Sequence, residues 1–363
     1  MPDSRAGRFA PAACAVGVLA AIVAGCGGGP HQAPQGPTST GLAKVKAAQA
    51  KKIAAIQKTK EAVATVAPTH VVGRRSGCEG ATFATWSPDG RQIAWPGRTS
   101  ICVANADGSN AHPLPHTQGT VDSPTQLVWI KPGLMLYGDD YTVSRIPIGG
   151  KPELLRGVEA PAFSVAADGS RFATSTRSDC PSCTGQAHIW TLDGAVVGAI
   201  GSAKAYNNPP SLSPDGEHAA YALRGGIWTA ATIGTGAHEL VSDGTAPLWS
   251  PVGNQIAYSN SKGVWVVGAS GGTSRLVGPP SSGNAGWSPN GKLIASWGIG
   301  KLLVLDVATG KARTLPFVGY PSGNAWSPDS KELLVTARMS GRCFALWRVP
   351  VNGSKPRLVS SCF

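Results

Sequence analysis

Residues 86–90 read WSPDG, inside the stretch ATFATWSPDGRQIAW (81–95). The unit returns as LSPDG (212–216), WSPVG (249–253), WSPNG (287–291) and WSPDS (326–330), and two weaker copies, WIKPG (129–133) and VAADG (165–169), stand between WSPDG and LSPDG. Aligned on their first residue, the seven copies lie 43, 36, 47, 37, 38 and 39 residues apart. Each is followed by a short alternating apolar run, such as RQIAW, NQIAYS or KLIASW. Proline pre-sets φ for a tight reversal, and the Asp-Gly after it completes the turn with positive φ on the glycine. Each copy is therefore expected to join two antiparallel strands.

A second series of turns runs in phase with the first. Asp107-Gly108, Gly149-Gly150, Asp193-Gly194, Gly234 to Gly236, Gly271-Gly272, Thr309-Gly310 and Asn352-Gly353 recur every 37–44 residues. Asn-Gly and Asp-Gly are strong hairpin signals. Two hairpins per period make a four-stranded antiparallel sheet, and serial sheets at that period predict an all-β propeller. One blade cannot bury its faces alone, so near-copies stack and bury a ring-shaped core. Trp at the head of the motif brings a large apolar area to each contact. The motif is structural on this reading, and its Asp residues serve the turn.

The pattern W-S-P-D-G-x-x-I-A-[FWY] resembles the repeat of the TolB-type propellers, the WD40-like PD40 repeats, over about residues 78–363. Relatives of that kind usually have six blades. Both turn series here give seven, so seven is the expectation and six the alternative. The α/β domain that precedes the propeller in TolB has no counterpart, because residues 27–77 are too few and too low in complexity. The resemblance implies the fold and does not extend to the Tol–Pal function.

The N-terminus has a different character. MPDSRAGRF carries Arg5 and Arg8, an Ala-rich run follows to Ala24, and Val23-Ala24-Gly25-Cys26 closes it. This order resembles a bacterial lipoprotein signal peptide with its lipobox. It implies removal of residues 1–25 and acylation of Cys26, palmitate included, as the first mature residue. The apolar run falls short of the ~20 residues that span a bilayer. Each buried acyl methylene would contribute about 0.8 kcal/mol to membrane anchoring. Residues 26–41 read as a flexible tether.

Residues 42–66 read as an amphipathic helix, with Leu42, Val45, Ile53, Ile56 and Val63 on one face and Lys44, Lys51 and Lys58 opposite. This segment supplies +5 of the formal +12, and residues 67–363, the propeller, keep +6. Two readings of the helix stay open: it lies on anionic headgroups beside the anchor, or it is a solvated spacer. A chain held outside the cytoplasm is a poor nucleic-acid partner despite its basicity. The expected partners are the membrane, through Cys26, and an envelope protein or peptide, with the propeller a monomer.

Eight cysteines are present; Cys14 lies in the signal and Cys26 carries lipid, which leaves six. An even number outside the cytoplasm favours disulfides. Cys343 and Cys362 flank the Asn352-Gly353 turn almost symmetrically and are expected to face each other, with Cys78–Cys362 as the rival. Cys78 and Cys102 fall at the same end of the first blade. Cys180 and Cys183 sit in the longest inter-strand loop, where a local disulfide is set against redox or metal chemistry.

In this topology the repeated turns share one face, and the irregular loops collect on the other. The loop face is expected to present Tyr206, Asn208, Asn284, Tyr320 and Asn324 around a channel mouth, with Arg177, Arg338 and Arg342 nearby. The Asn residues alternatively serve Asx turns. His112 and His116 have the look of a metal pair but follow a hairpin turn on the opposite face. No G-x-S-x-G, Walker loop or H-E-x-x-H is present, and no motif asks for a cofactor or metal. The expectation is a non-catalytic binding scaffold at the cell envelope; the alternative is a propeller hydrolase or lyase acting on envelope glycans or peptides.

Overall fold

The computed structural model describes residues 77–360 except 80, 82, 120–123, 140, 159–161, 176–185, 202–208, 281–285, 299–300, 318–319 and 341–342. The signal, tether and Lys-rich helix expected over residues 1–66 lie outside the described residues. Blade 1 holds β1 (Thr85–Trp86), β2 (Gln92–Pro96), β3 (Ile101–Asn105) and β4 (His112–Pro113). Blade 2 holds β5 (Pro124–Lys131), β6 (Leu134–Asp139), β7 (Val143–Pro147) and β8 (Glu153–Leu154). Blade 3 holds β9 (Phe163–Val165), β10 (Arg171–Thr174), β11 (Gln186–Thr191) and β12 (Val196–Gly201). Blade 4 holds β13 (Ser211–Leu212), β14 (His218–Leu223), β15 (Gly226–Ala231) and β16 (His238–Val241). Blade 5 holds β17 (Thr245–Trp249), β18 (Gln255–Asn260), β19 (Gly263–Gly268) and β20 (Arg275–Gly278). Blade 6 holds β21 (Gly286–Trp287), β22 (Leu293–Gly298), β23 (Lys301–Asp306) and β24 (Ala312–Thr314). Blade 7 holds β25 (Tyr320–Trp326), β26 (Glu332–Ser340), β27 (Cys343–Pro350) and β28 (Arg357–Ser360).

The result is seven four-stranded antiparallel sheets, each paired in sequence order. The chain is a seven-bladed, all-β propeller, with no helix among the described residues.

The five-letter motif acts through its serine. Ser87 Oγ donates to Asp89 Oδ1 at 2.6 Å and accepts the Gln92 amide at 2.9 Å. Asp89 Oδ1 in turn accepts the Arg91 amide at 3.0 Å. Ser213 with Asp215, Ser288 with Asn290 and Ser327 with Asp329 repeat the arrangement. The side chains thus satisfy backbone amides that a tight reversal leaves without ladder partners. In WSPVG the Val cannot accept, and Ser250 Oγ donates to the Val252 carbonyl instead. Ser330 takes the glycine position in the last copy at φ 61°. The serine bond holds the carboxyls of Asp89, Asp215 and Asp329 below their ordinary range.

The core is a ring rather than a centre. Seven apolar clusters form, one between each pair of neighbouring blades. One joins blades 1 and 2 around Leu127, Met135 and Ile146, and another joins 2 and 3 around Phe163 and Phe172. The next three join 3 to 4, 4 to 5 and 5 to 6. The sixth joins 6 and 7 around Trp297 and Trp347. The seventh packs Leu334, Leu346 and Val359 of blade 7 on Trp86 and Trp95 of blade 1. Trp86, Trp129, Trp249 and Trp287 are buried, while Trp326 is half-buried. Gly198 on β12 shows how closely neighbours approach: a Cβ there would lie 2.4 Å from the Thr232 carbonyl oxygen of blade 4.

Arginines pin blade to blade. Arg171 on β10 reaches blade 4, donating to the Gly216 carbonyl at 2.9 Å and Thr232 Oγ1 at 2.7 Å, with Glu217 at 2.8 Å. Arg313 of blade 6 donates to the Val351 carbonyl at 2.9 Å. Arg348 of blade 7 pairs with Glu332 and donates to the Ala106 carbonyl of blade 1.

Cys78 and Cys102 are joined in a disulfide, with Cα atoms 5.7 Å apart. This tethers the segment before β1 to β3 and leaves Cys78 no capacity to bridge to Cys362. Cys362, Cys180 and Cys183 lie outside the described residues, as does the side chain of Cys343. The β27–β28 register pairs Arg348 with Arg357 and Trp347 with Leu358, then shifts at a bulge to pair Leu346 with Ser360.

Candidate functional site: the axial cavity

The first strand of every blade borders a cavity of 640 Å³ on the propeller axis. Its lining residues come mostly from the parts of those strands that precede the motif Trp, among them Thr85, Gln126, Ser164, Ser211, Leu248 and Asn324. These strands run toward the repeated turns. The cavity therefore lies at the other end, on the loop face, where the blade-to-blade connections and the turns between second and third strands gather.

First strands of neighbouring blades share no ladder, so side chains link them. Trp129 N–H donates to Thr85 Oγ1 (3.2 Å), and Phe163 N–H donates to Gln126 Oε1 (3.1 Å). Ser164 Oγ donates to the Pro210 carbonyl, and Trp249 N–H donates to Ser211 Oγ at 2.8 Å. Trp287 Nε1 donates to the Leu248 carbonyl and Trp326 Nε1 to the Gly286 carbonyl, both at 2.9 Å. These bonds form a polar girdle from blade 1 to blade 7. It uses the acceptor side of Gln126 and Ser211. Among the described residues the Gln126 amide NH₂ and the Ser211 hydroxyl proton have no protein partner and are available to a ligand. Phe83 and Trp326 add half-buried rings, and Gly323 leaves room for Phe83: a Cβ there would stand 3.2 Å from its ring.

No lining residue is acidic, basic or a histidine, and no cluster of metal-ligating side chains occurs among the described residues. Of the residues expected at the channel mouth, Asn324 lines the cavity. It lies within β25 rather than in a loop before it. Tyr320 opens β25 and is in register with the exposed Arg338 on β26; nothing is described of the Tyr320 side chain. Tyr206, Asn208, Asn284, Arg177 and Arg342 lie outside the described residues. Asp139 is a turn residue, its Oδ1 accepting the Tyr141 and Thr142 amides. His112 bonds the Asn110 carbonyl through Nδ1. Sequence reading missed the cavity's Gln126, Ser211 and Phe83; the only signal for them is their place just before or within a first strand.

No family model matches the chain, and no curated protein matches it in sequence. Solved structures do match in shape. An oligogalacturonate lyase from Vibrio parahaemolyticus has 10% identity and TM-score 0.56, over 75% of this chain and 90% of that one. An oligogalacturonate lyase in complex with manganese has 13% identity and TM-score 0.54, over 75% and 89%. Both of these neighbours are lyases. The hydrazine synthase of Kuenenia stuttgartiensis also matches, with 15% identity and TM-score 0.53, over 79% and 99%. A TolB from Acinetobacter baumannii overlaps on 60% and 62% at TM-score 0.44 and 16% identity. Likenesses at these identities show the fold alone.

They nevertheless correct one expectation. The non-catalytic scaffold rested on the absence of a familiar catalytic motif, yet lyases are built on this fold. A propeller assembles its site from one segment per blade, so no contiguous motif need be present. The scaffold reading is withdrawn in favour of its enzymatic alternative.

Proposed function

We propose that the protein is a propeller enzyme, a lyase or hydrolase, acting on a glycan chain that enters the axial cavity from the loop face. The cavity carries this reading. Its volume of 640 Å³ falls within the ~300–1,000 Å³ of small-molecule sites. A sugar ring offers hydroxyls to amide and hydroxyl groups and C–H faces to aromatic rings. Gln126, Ser211, Asn324, Phe83 and Trp326 supply both kinds of contact. The fold shared with two oligogalacturonate lyases supports the choice of glycan.

Either reaction moves a proton at a sugar carbon or oxygen, and the described lining has no group to move it. The reading therefore assigns proton transfer to residues other than the described lining, with Lys204 and Tyr206, between β12 and β13 in sequence, the first to test. The experiment incubates the protein with uronate-containing and neutral glycan oligomers. It follows unsaturated ends by ultraviolet absorbance and new reducing ends chemically. Gln126→Glu keeps the acceptor for the Phe163 amide and removes the free donor; it should lower turnover without lowering the melting temperature. Absence of product from every oligomer rejects the reading.

The proposed address is the outer face of a bacterial cell membrane, through lipid on Cys26. Cys26→Ala should release the protein or leave the precursor unprocessed. A mature, membrane-bound variant would refute that address.

A further inference from the structure

The loop face carries a run of cations that the cavity does not use. Arg98 lies in the β2–β3 turn of blade 1, Arg224 in the β14–β15 turn of blade 4 and Lys262 in the β18–β19 turn of blade 5. Lys301 opens β23 of blade 6, and Arg338 stands near the end of β26 in blade 7. All five side chains are exposed. In ring order they occupy blades 4, 5, 6, 7 and 1, an unbroken arc on the face where the cavity opens. Arg98, Arg224, Lys262 and Lys301 form no ion pair among the described residues. The acids near the arc are Asp243, which accepts the Asn260 amide at 3.1 Å, the exposed Glu239, whose Oε1 lies beside Gly226, and Glu79, which is partly buried. Asp139 belongs to blade 2, outside the arc.

One of these cations sits where local chemistry disfavours it. Arg224 and Gly225 form a two-residue hairpin turn with φ 53° and 85°. Such a turn favours Asn, Asp or Gly at its first position. A long cationic side chain held there against backbone preference points to use rather than to folding. Clustered like charge beside a low-dielectric cleft attracts and concentrates ligands of opposite sign.

We propose that this arc captures an anionic glycan chain, carboxylate groups facing Arg98, Arg224, Lys262 and Lys301, and feeds it to the axial cavity. The inference rests on the glycan reading of that cavity and adds the charge of the substrate. A membrane surface fits less well. Interfacial binding needs exposed apolar residues beside the cations, and the one large apolar side chain exposed in a described second-to-third strand turn is Tyr141, on blade 2.

The test measures equilibrium binding of the full-length protein to alginate oligomers, to dextran oligomers of matched length and to phosphatidylglycerol vesicles. The variant R98Q/R224N/K262Q/K301Q removes the four cations, and Asn at 224 suits the turn, so folding should persist. The Lys-rich segment 42–66 is common to both proteins and cancels in the comparison. Alginate affinity should fall roughly tenfold or more in the variant and decline with salt in the wild type, with dextran binding unchanged. Equal alginate affinity in the two proteins overturns the proposal. So does wild-type binding of dextran as tight as that of alginate, or a variant that loses vesicle binding and keeps alginate. Turnover is followed separately. Arc-dependent alginate binding without product upholds capture and counts only against the enzymatic reading.

Discussion

Arg348 of blade 7 donates through a guanidinium nitrogen to the backbone carbonyl of Ala106 in blade 1, at 2.9 Å across 242 residues of sequence. The same guanidinium is 2.6 Å from Glu332 through Nε and lies 5.3 Å from the centre of the Trp86 ring. Arginine suits this place because its planar fork serves a carboxylate, a carbonyl and an aromatic face together. Among the described residues no strand crosses the join between first and last blades, and this contact and the apolar cluster around Trp86 hold the ring shut.

Arg348→Met should destabilise the propeller by about 2 kcal/mol or more, because Glu332 loses the partner that offsets its burial. Removing both, in E332Q/R348M, should cost less than the two single changes added together. Denaturant midpoints at unchanged slope measure both effects. Strict additivity would mean that the pair is not coupled.

Ser327→Ala removes an acceptor for the Glu332 amide and the donor to Asp329, and should cost about 1 kcal/mol. It should also alter the response to acid. The Asp329 carboxyl is held low, first by Ser327, and so its bonds stabilise the fold above the ordinary carboxylate pKa of about 4. That contribution is lost as pH falls through the depressed folded value. Asp89 and Asp215 act in the same direction. Melting temperature should therefore drop in acid, and S327A should show a shallower drop as pH falls below about 4.

Replacing both Cys78 and Cys102 by Ala opens a link that spans 24 residues. The expected loss is about 3 kcal/mol in the chain-entropy account, and reductant should lower the wild-type melting temperature but not that of the double variant. A further effect of reductant on the variant would reveal another disulfide, and peptide mapping would place it at Cys343–Cys362 or Cys180–Cys183.

Gly198→Ala and Gly201→Ala form a matched pair on one strand. The first drives a Cβ to within 2.4 Å of the Thr232 oxygen, and the second meets nothing within 4 Å. Gly198→Ala should cost about 1–3 kcal/mol through overpacking between blades, with Gly201→Ala within about 0.5 kcal/mol of wild type. Thermal melts of the two variants suffice.

The blade count was legible because Ser and Pro-Asp-Gly write the same turn again and again, and that chemistry is local. Even the degenerate copies at Trp129 and Val165 kept their strands, since apolar alternation continued where the turn letters failed. The girdle was not legible. Gln126 and Ser211 act on residues 37 and 38 positions away, and nothing near either marks it as a bridge. Arg348 was hidden for the same reason. Sequence located Arg338 on the loop face but passed over Arg98, Arg224, Lys262 and Lys301, because each is an ordinary surface cation until ring order sets them side by side. The scaffold expectation failed on a similar point: a site drawn from several blades leaves no contiguous signature.

Among the described residues each sheet is woven from a single stretch of chain, and the last blade takes its four strands from residues 320–360. Heredity could therefore copy or delete one segment of 36 to 47 residues without cutting any sheet in two. A ring with a shared closing strand lacks that freedom, since its terminal blade must find two distant ends of the gene product at once. Here a blade gained at either end of the series would have to replace the contact between Arg348 and Ala106 with two new ones, one on each of its sides.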